Sequence, residues 1–150
     1  MKILFVCTGN SCRSPMAEAY TREAFRKAGR ADIEVASAGL STVNGFSAST
    51  QAQVVAYEFG GSLADFRSTR VTKTLLESCD LVVAMTSMHK YYLQHLDNQV
   101  DVKLLMEFVG KDNVDVPDPY GENVDGYRDC FKKMQSALDA LVDDILSKHK

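Results

Sequence analysis

An apolar run from Lys2 to Val6 stops abruptly at Cys7-Thr8-Gly9-Asn10, and within four more residues Ser14-Pro15 opens a helical pattern. A buried strand, a tight polar loop and a helix start are thus packed into the first fifteen residues. Ser14 is expected as the N-cap and Pro15 as the first helical residue, with Gly29 as the C-terminal stop. This unit predicts that strand and helix alternate from the outset, which favours a parallel sheet covered on both faces.

The rest of the chain keeps that rhythm. Ile33 to Ala36 reads as a second strand, ending near Gly39, and a Ser/Thr/Gly-rich loop from Ser41 to Ser47 leads to a helix over 48–59. Thr72 opens a short helix carrying Leu75 and Leu76. Asp80-Leu81-Val82-Val83-Ala84-Met85, uncharged after its first residue, has the short, β-branched character of a central strand. A helix is expected over 87–96, a fourth strand over 102–105 and a long loop from Val109 to Asn123, which is rich in Gly, Asp and Pro. Tyr127, Phe131, Met134, Leu138, Leu141 and Ile145 then recur at three- and four-residue steps, the stripe of an amphipathic helix packed on the sheet. The expectation is one α/β domain over residues 1–150: a single-domain four-stranded parallel sheet with helices on both faces and a phosphate-binding loop after the first strand.

The first loop carries chemistry. Cys7-Thr8-Gly9-Asn10-Ser11-Cys12-Arg13-Ser14 sets a thiol and a guanidinium on either side of five small or polar residues. Backbone N–H groups in such a loop converge on an anion, and the following helix N-terminus adds partial positive charge. Arg13 supplies a fork that matches two oxygens of a phosphate. The same field favours a thiolate at Cys7, and Ser14 would donate a hydroxyl hydrogen bond to it. Spacing alone is weak, because a Cys-x5-Arg pair arises by chance in about one such chain in five. The strand before and the Ser-Pro after give it weight against a core cysteine beside a surface arginine.

A thiolate that attacks phosphorus needs a group to protonate the leaving atom. Asp118 in Val116-Pro117-Asp118-Pro119-Tyr120 is the candidate, with prolines restricting the backbone on both sides. A rigid Pro-Asp turn without chemistry is the competing reading of the residues. Tyr120 would wall the substrate.

Composition excludes several classes. A net charge of −3 leaves no broad basic field for nucleic acid. The opening MKILFV is too short for a membrane span or an export signal, so the expectation is a cytoplasmic protein with its four cysteines as free thiols and no membrane partner. Neither the cysteines nor His89, His95 and His149 have zinc spacing, so no metal and no cofactor is expected.

These residues resemble the low-molecular-weight protein tyrosine phosphatases. The resemblance rests on Val6-Cys7 through Ser14-Pro15, Ala17-Glu18, Ser37-Ala38-Gly39, Asp80-Leu81-Val82 through Ala84-Met85, and Asp118-Pro119-Tyr120, in family order over nearly the whole chain. It implies a cysteinyl-phosphate intermediate, catalysis by Cys7, Arg13 and Asp118, and Asp118 as general acid and then base. Substrate binding is expected from Thr8, Gly9, Asn10, Ser11, Cys12, Ser14 and Tyr120, with a phosphorylated protein as partner and phosphate or a similar oxyanion in the loop. Within the family the chain is most similar to the protein arginine phosphatase branch, on Thr8 through Cys12, Met85-Thr86 with His89-Lys90, and Asp-Pro-Tyr-Gly.

In that branch threonine is usual at position 11, whereas tyrosine-specific members carry a bulkier aliphatic residue. Ser11 keeps the hydroxyl and loses the methyl, so both phosphoarginine and phosphotyrosine remain open. Two alternatives stand beside the phosphatase. A thioredoxin-coupled arsenate reductase needs two further relay cysteines, for which Cys79 and Cys130 look unsuited. A non-catalytic phosphate-binding module needs neither Cys7 nor Asp118. Cys12 either fills the loop or forms a protective disulfide with Cys7. Asn10 is expected to hold the loop, His89 to be a solvated helix residue, Tyr91 and Tyr92 to pack on a helix surface, and Cys79 and Cys130 to be core cysteines.

Overall fold

The computed structural model describes residues 1–149 and shows four parallel strands in the order β2-β1-β3-β4. They are β1 (Lys2–Cys7), β2 (Glu34–Gly39), β3 (Leu81–Ala84) and β4 (Val102–Leu104). Five helices connect them: α1 (Arg13–Lys27), α2 (Thr50–Glu58), α3 (Lys73–Glu77), α4 (Ser87–Leu96) and α5 (Val124–Lys148).

The alternation of β1 builds two cores. Ile3 and Phe5 point to one face with Met16, Phe25, Met134 and Leu138, residues of α1 and α5. Leu4 and Val6 point to the other with Leu76 of α3 and Leu93 of α4. Because both faces are covered, the buried stretches of the central strands, Ile3 to Cys7 and Val82 to Ala84, carry no charge and read as continuous apolar runs. No helix among the described residues is long and apolar enough to cross a membrane.

Parallel register puts every strand's C-terminal end on one edge. Cys7 pairs with Gly39 on β2, and Val6 pairs with Ala84 on β3. Cys79, which precedes β3, therefore lies at the opposite edge from Cys7. Loops after β1 and β3 meet where ligands collect in open α/β sheets.

Several boundaries differ from expectation. Helix α1 begins at Arg13 with Cys12 in the cap position and no side-chain cap, because the Ser14 hydroxyl is engaged elsewhere. Pro15 still falls in the first turn, where no N–H is required. Strand β2 starts at Glu34 rather than Ile33, and it ends at Gly39 as expected, where its last residue pairs with Cys7 of β1. Helix α2 starts at Thr50, where the Ser49 side chain accepts the Ala52 N–H. A 3₁₀ turn over Leu105–Val109 follows β4, and the long loop begins only at Gly110, which has φ of +76°.

Candidate active site

Cys7 is the last residue of β1, buried, with its Sγ 2.9 Å from the Ser14 Oγ. Between them the chain turns back through Asn10, the one non-glycine residue among those described with positive φ, at +53°. Asparagine tolerates that left-handed geometry better than most residues. Its side chain then ties the loop together. Oδ1 accepts the Thr69 backbone N–H at 2.9 Å, which fixes the amide's orientation. Nδ2 donates to Ser14 Oγ and to Ser37 Oγ, both at 2.9 Å.

The proton directions follow. Ser37 Oγ donates to Glu18 Oε1 at 3.0 Å, and Arg22 donates to Glu18 Oε2 at 2.7 Å. Burial raises the Glu18 carboxyl above its ordinary range, and Arg22 opposes that shift. Since Ser14 Oγ accepts from Asn10, its own proton is free to face the sulfur. With Cys7 as a thiolate, Ser14 is the only possible donor of that pair.

Other contacts brace the loop from all sides. Gly39 lies so close that a Cβ there would come within 2.7 Å of the Thr8 carbonyl oxygen and 2.9 Å of the Asn10 nitrogen. The Ser11 carbonyl accepts the Ser49 N–H at 3.0 Å. Cys12 Sγ is 3.0 Å from the Tyr127 hydroxyl at the start of α5. Burial and the Cys12 contact push the Tyr127 phenol up to about 12.

Arg13 is buried, with Nη1 donating to the Val116 carbonyl at 2.9 Å and Nη2 lying 3.6 Å from Asp118 Oδ2. Nη2 also reaches Thr8 Oγ1 at 3.5 Å. The guanidinium keeps further N–H donors for an anion. Asp118 is half exposed, and its Oδ1 accepts the Tyr120 N–H at 3.0 Å. That Asx turn and the two prolines set the carboxyl's direction.

The segment before Asp118 is anchored rather than loose. Val116 donates its N–H to the Met85 carbonyl at 2.9 Å, just past β3. Asp115 Oδ1 accepts from Ser87 N and Ser87 Oγ, each at 2.8 Å, at the start of α4. Cys130 Sγ reaches the Pro117 carbonyl at 3.6 Å from α5. Tyr120 is largely exposed at the rim.

Cys7, Arg13, Asp118 and Tyr120, with Thr8, Gly9, Ser11 and Cys12, surround one cavity of about 240 Å³. Asn10 and Ser14 lie behind it: they hold the loop and the sulfur instead of lining the space. A thiol, a buried cationic fork and a carboxyl group at the rim therefore face a single small volume. Among the described residues there is no cluster of three or more His, Cys, Asp or Glu placed to hold a metal ion.

His89 corrects an expectation. It is buried, with 4% of its surface exposed, and its Nε2 is 2.8 Å from Thr8 Oγ1. Burial and the nearby Arg13 lower its imidazole to about 4, so it is neutral at ordinary pH. The four-residue step from His89 to Leu93 was the available signal, because both fall on the face of α4 turned to the sheet. Tyr127 was legible only as part of a core stripe, and its contact with Cys12 had no signature.

The relay chemistry of an arsenate reductase finds no support in the cysteines. Cys130 is buried, which pushes its thiol up to about 12. Cys79 is half-buried at the far edge of the sheet, with a thiol also raised by burial.

A family model described as low molecular weight phosphotyrosine protein phosphatase matches residues 2–150. The protein-arginine-phosphatase of Bacillus subtilis (strain 168) is 35% identical over 147 residues, spanning 97% of this chain and 97% of its own length. The low molecular weight protein-tyrosine-phosphatase PtpB of Staphylococcus haemolyticus (strain JCSC1435) is 34% identical over 138 residues, spanning 89% and 92%. Among solved structures, the YwlE arginine phosphatase, as a cysteine-to-serine mutant with a phosphorylated active-site serine, superposes with a TM-score of 0.92 at 33% identity. It covers 99% of this chain and 98% of its own.

Proposed function

The chain belongs to the low molecular weight phosphotyrosine protein phosphatase family, and we propose that Cys7, Arg13 and Asp118 are its catalytic residues, acting on phosphoarginine in protein substrates. The Cys7 thiolate attacks phosphorus, an S–P bond forms, and the bond from phosphorus to the leaving atom breaks. Asp118 gives its proton to that atom. Arg13 holds two non-bridging oxygens, and the backbone N–H groups from Thr8 to Arg13 hold the third. Water then attacks the cysteinyl phosphate, Asp118 takes its proton, and phosphate leaves a regenerated thiolate.

The observation that carries the reading is the shared cavity of Cys7, Arg13 and Asp118, with Ser14 Oγ 2.9 Å from the sulfur. A phosphate sensor would need neither the sulfur nor the carboxyl group. A phosphorylated serine at the active site of the YwlE mutant supports covalent transfer to the nucleophile. The choice of phosphoarginine rests on Ser11, which lines the cavity with a small hydroxyl where an aliphatic side chain would suit a phenyl ring. Thr8, Gly9, Ser11, Cys12 and Tyr120 line the substrate's path, and Asn10 and Ser14 preorganise it. The chemistry needs Cys7 reduced, which fits a reducing compartment such as the cytoplasm.

Side-by-side kcat/KM values on phosphoarginine and phosphotyrosine peptides test the substrate choice. The native enzyme is expected to favour phosphoarginine, and Ser11→Ile to shift the ratio toward phosphotyrosine. A native preference for phosphotyrosine, or a ratio indifferent to Ser11→Ile, contradicts it.

A further inference from the structure

A second and larger cleft, of about 800 Å³, shares Thr8, Arg13 and Asp118 with the catalytic cavity and lies on their far side, against α4. One side of it is apolar: Leu40 and Val71 from beside β2, and Met88, Tyr92 and Leu96 from α4. The α4 residues recur at four-residue steps and so form one stripe. They are exposed by 59%, 54% and 42%, although each is a large apolar or aromatic side chain. Such a stripe beside a reaction centre marks a contact surface. His89 also lines this cleft.

We propose that this cleft is a substrate subsite, seating the apolar side chain of a residue that flanks the phosphorylated one in the protein substrate. The inference rests on the phosphatase reading of the smaller cavity. Continuity decides the occupant. A polypeptide whose phosphoryl group sits on Arg13 must pass its neighbouring residues over Thr8 and Asp118, and successive residues of an extended chain advance only about 3.3–3.6 Å each. The first or second flanking residue therefore reaches the apolar wall. The cleft's volume takes a Leu, Met or Phe side chain together with its main chain. Arg70 at the lining disfavours a lysine or arginine at the same place.

Phosphopeptide pairs that differ only by Leu or Gly at each of the two positions on either side of the phosphoresidue test this, in both phosphoarginine and phosphotyrosine series. A small aryl phosphate, which fills only the cavity at Cys7, serves as the reference substrate. In the native enzyme, Leu at one flanking position is expected to raise kcat/KM about tenfold over Gly, the size of partial burial of one such side chain. In the double variant Met88→Glu, Tyr92→Glu that preference should fall to near one when each rate is divided by the aryl phosphate rate. Both positions are exposed, so the fold should tolerate the charges. Equal rates for Leu and Gly in the native enzyme overturn the proposal, as does a preference that survives the double variant. No turnover of aryl phosphate or of either phosphopeptide series overturns the phosphatase reading instead, and this subsite with it.

Discussion

The hydroxyl oxygen of Ser14 stands 2.9 Å from the Sγ of Cys7 and accepts an N–H from Asn10 at the same distance. One lone pair is thereby occupied, and the hydroxyl proton is left for the sulfur. Hydrogen bonds to a charged group contribute roughly 1.5–3 kcal/mol. Ser14→Ala should therefore lower kcat about 10- to 100-fold with little change in phosphate affinity. Steady-state kinetics with phosphate as a competitive inhibitor checks both halves, and an unchanged kcat contradicts the assignment.

Asn10 is both a conformational and a hydrogen-bonding device. Its side chain contacts Ser14, Ser37 and the Thr69 N–H, and its backbone sits at φ +53°. Asn10→Ala removes the contacts and keeps the strain, so a loss of about 3 kcal/mol is expected. In a chain of this size that corresponds to about 6–12 °C in Tm, measured by calorimetry. Asn10→Gly relieves the backbone and should recover part of the loss without restoring activity.

Gly39 is required by space rather than by its own φ. A methyl group there would press on the Thr8 carbonyl and the Asn10 backbone, neither of which is a flexible side-chain end. Gly39→Ala should displace the loop, cost about 1–3 kcal/mol in denaturant unfolding and reduce phosphate affinity at least tenfold. Calorimetric titration with phosphate reads the second effect. Normal affinity in this variant would show that the loop can move away freely.

His89 gives the protein an acid-sensitive limb. Its folded-state value of about 4 lies below the ordinary 6.5, so the unfolded chain takes up a proton that the folded chain refuses. Stability from this residue is complete above 6.5 and falls as pH drops toward 4, by up to ~3 kcal/mol. Glu18 acts with the opposite sign: its raised value means the folded state is protonated first, which adds stability as pH falls. The comparison of native protein with His89→Gln isolates the histidine. Urea unfolding between pH 7 and 4 should show the native protein losing more stability than the variant, and parallel curves would contradict it.

The fold was legible because both faces of the sheet are covered. Burial on both sides forces uncharged runs such as Leu81 to Met85, and helix starts at Thr72 and Asn123 carry side chains that cap. The residues that share the small cavity were legible because strand, loop and helix follow one another without a gap. What lay hidden was contact between segments distant in sequence. Thr8 meets His89, Cys12 meets Tyr127, and Arg13 meets Val116, pairs set by parallel register and by the packing of α4 and α5. Ser14 shows the converse case. A Ser-Pro pair reads as a cap, yet its hydroxyl serves the sulfur and the helix begins two residues earlier.

Covalent transfer of phosphate to Cys7 is the central claim, and rapid acid quench during turnover tests it most directly. Mass spectrometry of the quenched protein should find one phosphoryl group on the peptide carrying Cys7, most abundant while substrate lasts, and Cys7→Ala should show neither the adduct nor turnover. A quenched native enzyme that turns over without any phosphoryl group on Cys7, or a Cys7→Ala variant that keeps its rate, would contradict the account.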